Sequence, residues 1–188
     1  MSARIDAELD RLGAAALVVL GAEGDDPDLA WFARGARLGD AFVVVPRGVA
    51  PRLGYFTPME RDEARATGLD LLTPEQLGVV RLARETEGPA ELLAGVLGTA
   101  LAACGVEPGR LAVCGRWPAG VLLDAGARLA ALGWTLVSAT EALRRLRKRK
   151  DAAEIEEVRR VAGATAEVFR ELAARLADAA VREGELWS

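Results

Sequence analysis

The chain has 188 residues, 51% of them apolar and 28% charged, which excludes intrinsic disorder for its bulk and suffices for a core without staples. Its net charge of −4 at pH 7 argues against a general nucleic-acid or anionic-membrane binder. Two cysteines with no CxxC exclude a disulfide scaffold or zinc ribbon, and the absence of any histidine removes Ser-His-Asp and Cys-His catalysis, His-ligated zinc and imidazole acid–base chemistry together.

Residues 2–12 read as an amphipathic helix. Ile5, Leu9 and Leu12 share one face, while Arg4, Asp6, Glu8 and Asp10 face solvent. The apolar run 14–20 has the character of a strand covered on both faces. A loop at 21–28 leads to the apolar-aromatic LAWFARG (29–35). Strands follow at 41–46 and, more weakly, 52–56; then come a helix at 59–67 and a strand at 69–72. Thr73-Pro74 opens a helix to Arg84. The remaining pattern is helix 91–104, turn 105–109, strand 110–115, helix 119–132 and strand 134–137, with Ser138 and Glu141 as a capping box for a helix ending near Leu146. This alternation implies an α/β fold, a layered mixed sheet with helices on both faces, followed by a long C-terminal helix. No apolar run reaches the ~18 residues that cross a bilayer, and the N-terminus lacks a signal peptide's order, so a cytoplasmic protein with no membrane association is expected.

From Asp151, which caps with Glu154, the helical pattern runs to about Arg182 with Ile155, Val158, Ala162, Ala166, Phe169, Leu172 and Leu176 on one face. Thirty-odd helical residues span roughly 45–50 Å. A body of about 150 residues is under about 40 Å across. The distal apolar face therefore needs a further domain or a second subunit to cover it.

RRLRKRKDAAEIEEVRRVAGATAEVF (144–169) resembles the domain junction of the creatinase/aminopeptidase P/prolidase family of pita-bread metallopeptidases. Arg147, Lys150, Glu154, Ile155, Arg159 and Ala162 stand at the places of that family's basic turn, Glu-Ile pair and long helix. REGEL (182–186) resembles the Gly-x-x-Glu turn closing that helix, one residue tighter, and Trp31, Phe32 and Gly35 match an aromatic segment upstream. The resemblance implies a creatinase N-terminal-like, ribonuclease H-like domain at 1–143, a basic junction at 144–150, and at 151–188 the first helix of an otherwise absent catalytic domain. Family enzymes hold two divalent metals of the Mn, Co or Zn type through two Asp, one His and two Glu of that catalytic domain. This chain is accordingly expected to carry no catalytic, cofactor or metal residues and to be inactive alone. Its implied work is dimerisation, as a homodimer, and substrate access to the site of a Xaa-Pro-type peptidase. The alternative is a stand-alone scaffold or regulatory interaction module of the same fold; a small-molecule-binding α/β domain is a third possibility, but no loop after a strand carries convergent polar groups.

Trp31, Phe32 and Arg34 have hot-spot composition. By resemblance this region lies near the subunit interface and reaches toward the neighbouring active-site mouth; the competing reading places Trp31 and Phe32 in the local core. The other suggestive motifs have plainer readings. The six positive charges of 144–150 read as a solvated junction neutralised by Asp151, Glu154, Glu156 and Glu157 rather than a nucleic-acid site. GAEG (21–24) and Asp25, Asp26 and Asp28 read as surface loop, MERDE (59–63) as a solvated face, Cys104 and Cys114 as reduced thiols, and Trp117 and Trp134 as core packing.

Overall fold

The computed structural model describes residues 2–21, 26–34, 36–178, 180–182 and 185–187. The chain divides into two units, residues 1–147 and 148–188.

The first unit is built on a six-stranded mixed sheet. In chain order its elements are α1 (Ser2–Leu12), β1 (Ala16–Gly21), α2 (Pro27–Ala33), β2 (Ala41–Pro46), β3 (Arg52–Tyr55), a 3-10 turn (Pro58–Glu60), α3 (Arg61–Ala66) and β4 (Asp70–Leu72). Then come α4 (Pro74–Leu77), α5 (Val79–Glu85), α6 (Pro89–Ala103), β5 (Arg110–Arg116), α7 (Ala119–Ala131), β6 (Thr135–Ser138) and α8 (Thr140–Lys148). The strand order is β4-β3-β2-β1-β5-β6. β1 pairs antiparallel with β2 and parallel with β5, β2–β3 is antiparallel, and β3–β4 and β5–β6 are parallel.

The continuous apolar run of β1 follows from its central place. Ala16, Val18 and Leu20 pack into the core under α4–α7, whereas Leu17 and Val19 join Ile5, Leu9, Leu29, Phe32 and Leu143 under α1, α2, α3 and α8. Successive side chains of a strand point to opposite faces, so a strand covered twice must be apolar at every position. Each fully buried Leu, Val or Phe contributes about 1.5–3 kcal/mol, which makes the two helical layers the main source of stability. The expected architecture, helices on both faces of a mixed sheet, is the one observed.

Several local expectations are corrected. The helix opened by Thr73 carries its cap as a full box, Gln76 N–H donating to Thr73 Oγ1 (3.3 Å) and Thr73 N–H to Gln76 Oε1 (2.9 Å), yet it stops after four residues. Gly78, left-handed at φ +67°, ends α4 and starts α5. The short helical turn that Pro27 and Asp28 suggest is present and needs no correction: it continues through LAWFARG to Ala33, because Asp26 Oδ1 accepts from Asp28 N–H (2.6 Å) and Leu29 N–H (2.9 Å) and Pro27 presets the first turn. Ser138 ends β6 and its hydroxyl accepts from Thr140 N–H (3.5 Å), while Glu141 pairs with Arg144 (3.1 Å) instead of closing a capping box. Of the acidic MERDE segment, Glu60 turns inward and its Oε1 accepts from Gly39 N–H (2.5 Å).

Glu8 is a further correction, since its side chain is only 13% exposed. Arg145 of α8 donates to it at 2.7 Å and Arg11 lies 3.2 Å away, tying α1 to α8 across 137 residues of sequence. The Arg145 hydrogen bond holds the Glu8 carboxyl below its ordinary value near 4.5, with burial opposing and Arg11 adding to the effect. A depressed folded-state pKa gives stability that is present above the unfolded value and lost as pH falls through the folded one. Glu8→Gln should therefore lower stability at about pH 6 and converge with the parent near about pH 3, read by urea unfolding at each pH.

The second unit holds α9 (Ala152–Asp178), with β7 (Ala180–Arg182) and β8 (Glu185–Trp187) paired antiparallel after it. The Asp151–Glu154 box is present, with both amide-to-carboxylate bonds at 2.9 Å. The helix stops at Asp178, four residues before Arg182, because the sequence beyond it supplies a short hairpin. Arg182 pairs with Glu185, and the two residues between them, part of the expected REGEL turn, lie outside the described residues. No described residue of α9 is buried.

Candidate functional site

The three residues singled out by composition fall at the end of α2 and divide by depth. Phe32 is 2% exposed and belongs to the core that includes Ile5, Leu29 and Leu143. Trp31 is half-buried and meets Phe32 edge-on, with ring centroids 4.9 Å apart at 77°. Arg34 is exposed and caps the helix in the left-handed region (φ 51°, ψ 38°), the one positive-φ residue other than glycine among the described residues. That conformation costs an L side chain about 1 kcal/mol. Trp31 and Arg34 are thus presented to solvent, and Phe32 fixes Trp31 from beneath. Gly35, the third member of the aromatic motif, lies outside the described residues, as do Ala22, Glu23, Gly24 and Asp25 of the preceding loop.

At the other end of α2, Asp26 and Asp28 have separate structural tasks. Asp26 is 3% exposed, and its Oδ1 caps the helix. Asp28 forms an ion pair with Arg147, the first of the residues at which the junction resembles the family. Burial pushes the Cys114 thiol well above its ordinary value, and Asp28 and Asp26 push it further while Arg147 opposes them. Cys104 is raised as well, chiefly by burial, with Arg52 opposing. Both thiols are held protonated, so neither supplies a thiolate nucleophile. Tyr55 is fully buried in β3, away from any substrate in solvent.

Four of the six cations of 144–150 form ion pairs, three of them with partners other than those expected from the following helix. Arg144 pairs with Glu141, Arg145 with Glu8, Arg147 with Asp28 and Lys150 with Glu154. Glu156 and Glu157 pair instead with Arg159 and Arg160. Arg144–Lys148 also lie within α8, so the run is helical for most of its length.

Among the recesses of the first unit, two have aromatic side chains in their lining. One, of about 250 Å³, lies between α6 and α7 and is lined by Asp40, Phe56, Leu92, Trp117, Pro118 and Val121. Phe56 stands 5.9 Å from Phe42 and 5.8 Å from Trp117, so Trp117 ends an aromatic row and is not wholly core. The other, of about 490 Å³, runs between α7 and the edge strand β6; Leu122, Leu123 and Leu136 line it, along with the buried Trp134. Among the described residues no three His, Cys, Asp or Glu side chains converge on a point. The described residues do not fit a pair of divalent metals. No helix among the described residues is long and apolar enough to cross a membrane.

No family model and no curated protein matches this chain. Solved structures do. A dipeptidase PepE from Mycobacterium ulcerans is 23% identical, with a TM-score of 0.55 over 93% of this chain and 43% of its own. An X-Pro aminopeptidase from Thermotoga maritima is 12% identical, with a TM-score of 0.60 over 88% of this chain and 42% of its own. A prolidase from Thermococcus sibiricus is 15% identical, with a TM-score of 0.56 over 89% and 41%. The fold is therefore that of prolidase and aminopeptidase P N-terminal domains. The chain spans about two fifths of the length of these structures.

Proposed function

We propose that the chain serves as the non-catalytic N-terminal domain of a Xaa-Pro-type metallopeptidase, with residues 1–143 as the α/β domain, 144–150 as the junction and 151–188 opening the catalytic domain. Its work is dimerisation and the shaping of substrate access in a cytoplasmic homodimer, with the half-buried Trp31 and the exposed Arg34 as the contacts and Phe32 as their support. The observation that carries this reading is the likeness of nearly the whole chain to about two fifths of three different peptidases. The lack of histidine agrees with a reactive centre, and its two divalent metals, supplied by the catalytic domain.

Incubated with Mn²⁺ or Co²⁺ and an Xaa-Pro dipeptide, the 188-residue chain should release no proline in a metal-dependent way. Joined to a catalytic domain of the family it should do so. Trp31→Ala and Arg34→Ala should then raise KM about three- to tenfold with kcat retained. Metal-dependent turnover by the chain alone overturns the proposal. A second reading, a stand-alone interaction scaffold, is favoured by one observation: α9 exposes large apolar side chains, with Phe169 at 66%.

A further inference from the structure

Phe56 and Trp117 follow strands that are not neighbours. Phe56 comes after β3 and Trp117 after β5, with β2 and β1 between them in the sheet. At the usual strand spacing that is a separation of roughly 14 Å. Their rings nonetheless stand 5.8 Å apart at 36°, and Phe56 meets the buried Phe42 edge-on at 5.9 Å. Trp117, leaving β5, therefore reaches across the end of β1, and the two half-buried rings wall the 250 Å³ recess between α6 and α7. The buried Leu93 closes it from within. Asp40 stands at the mouth, exposed on the turn into β2, and its carbonyl oxygen accepts from Phe56 N–H (3.3 Å). Carboxylate and aromatic wall are thus held together by the backbone.

Among the described residues that line the recess Asp40 is the charged one, and the others are aromatic, aliphatic or proline. Aromatic faces are the negative ends of their quadrupoles and attract a cation within about 6 Å of the ring centroid. A carboxylate at the rim of an aromatic wall suits a positive charge carried on an apolar body. We propose that the recess binds a small organic cation, an ammonium group on an aromatic ring, with the ring against Phe56 and Trp117 and the ammonium at Asp40. The size agrees. A cavity of about 150 Å³ accepts benzene, so about 250 Å³ takes a ring with a two-carbon tail. The N-terminal ends of α6 and α7 open on the same mouth and favour an anion instead. A helix end carries only about half a charge, however. That of α6 also begins with Pro89, which has no N–H, and holds Glu91 in its first turn, accepting from Glu87 N–H (3.1 Å). The full charge of Asp40 outweighs what remains. The site lies within the first unit, so the inference stands or falls separately from the peptidase reading.

Titration of the ¹⁵N-labelled 188-residue chain with 2-phenylethylamine, followed by ¹H–¹⁵N NMR, tests the proposal. Two further probes keep the ring and replace the ammonium: 2-phenylethanol with a neutral group, phenylacetate with an anionic one. The amine should bind with a Kd of about 0.1–1 mM, the range open to so small a ligand. The alcohol should bind about five- to tenfold more weakly, and the acid more weakly still. The Trp117 indole N–H, identified by its loss in Trp117→Leu, should shift more than those of Trp31, Trp134 and Trp187. Asp40→Asn should weaken the amine about five- to tenfold and leave the alcohol unchanged, which also shows that the variant is folded. Trp117→Leu should weaken amine and alcohol alike; if it unfolds, the Asp40→Asn comparison still decides. An amine bound no tighter than the alcohol, an acid bound best, or an Asp40→Asn chain with the parent's amine affinity overturns the proposal. So does a parent chain that binds no amine up to about 10 mM.

Discussion

Gly115→Ala should abolish the native fold or cost more than about 4 kcal/mol, the largest effect expected of any single methyl group added to this chain. Gly115 lies in β5 at φ +102° and pairs with Leu20 of β1. A Cβ at that place lies 1.9 Å from the Leu20 carbonyl oxygen and 2.9 Å from the Leu20 carbonyl carbon and amide nitrogen. All three obstacles are backbone atoms of the neighbouring strand, so no rotamer change relieves them. The clash is removed only by parting β1 from β5, a pair that both helical layers grip. Gly120→Ala is the matching control, since Gly120 is helical in α7 with nothing within 4 Å of a built Cβ. That change should be stabilising by about 0.5–1 kcal/mol. Thermal and urea unfolding of both variants decide the matter, and a Gly115→Ala protein within about 1 kcal/mol of the parent contradicts the argument.

Arg147→Met is expected to cost about 2 kcal/mol, and adding Asp28→Asn to it should recover most of the loss. Arg147 and Asp28 keep only 32% and 18% of their side-chain surface exposed. Removing the guanidinium leaves a half-desolvated carboxylate beside the buried Asp26, whose Oδ2 has no hydrogen-bond partner among the described residues. The cost is that of the abandoned charge rather than the net worth of the pair, and this is why the neutral Asn restores stability. Urea unfolding of the single and double variants at neutral pH reads the coupling. A double variant as unstable as the sum of the singles would show that Arg147 acts through other contacts. The result bears on function, because Arg147 belongs to the motif by which the junction resembles the peptidase family. In this structure it locks the last helix of the first unit to the start of α2, whose far end presents Trp31 and Arg34.

The layered fold was legible because its signals are local. β1 is apolar at every position because it is covered twice, and the amphipathic period of α1 needs only its own residues to be seen. Asp151 with Glu154 could be recognised as a cap from a three-residue spacing, and that box is present with both bonds formed. The break at Gly78 was also visible in principle, as a glycine inside an apolar run. It was missed because a glycine in a helix is tolerated often enough for the stronger capping signal before it to dominate.

The candidate site was legible in composition and not in depth. Trp31, Phe32 and Arg34 form one short segment, yet a seven-residue helix turns Phe32 into the core, leaves Trp31 half-covered and sets Arg34 in a left-handed cap. The recess beside Trp117 had no sequence signature at all, since Asp40, Phe56, Leu92 and Val121 come from four separate segments.

The sequence by itself determined the alternation of strands and helices, the double covering of the central strand, and the exclusion of imidazole chemistry, because each depends on neighbours along the chain or on a residue that is not there. Only the tertiary structure decided which carboxylates answer the basic run. Arg147 finds Asp28 across 119 residues and Arg145 finds Glu8 across 137, and both matches arise because the sheet order lays α1, α2 and α8 on one face. Periodicity is a property of contiguous residues, whereas a charge seeks whichever opposite charge the packing of distant elements brings within about 4 Å before solvent screens it.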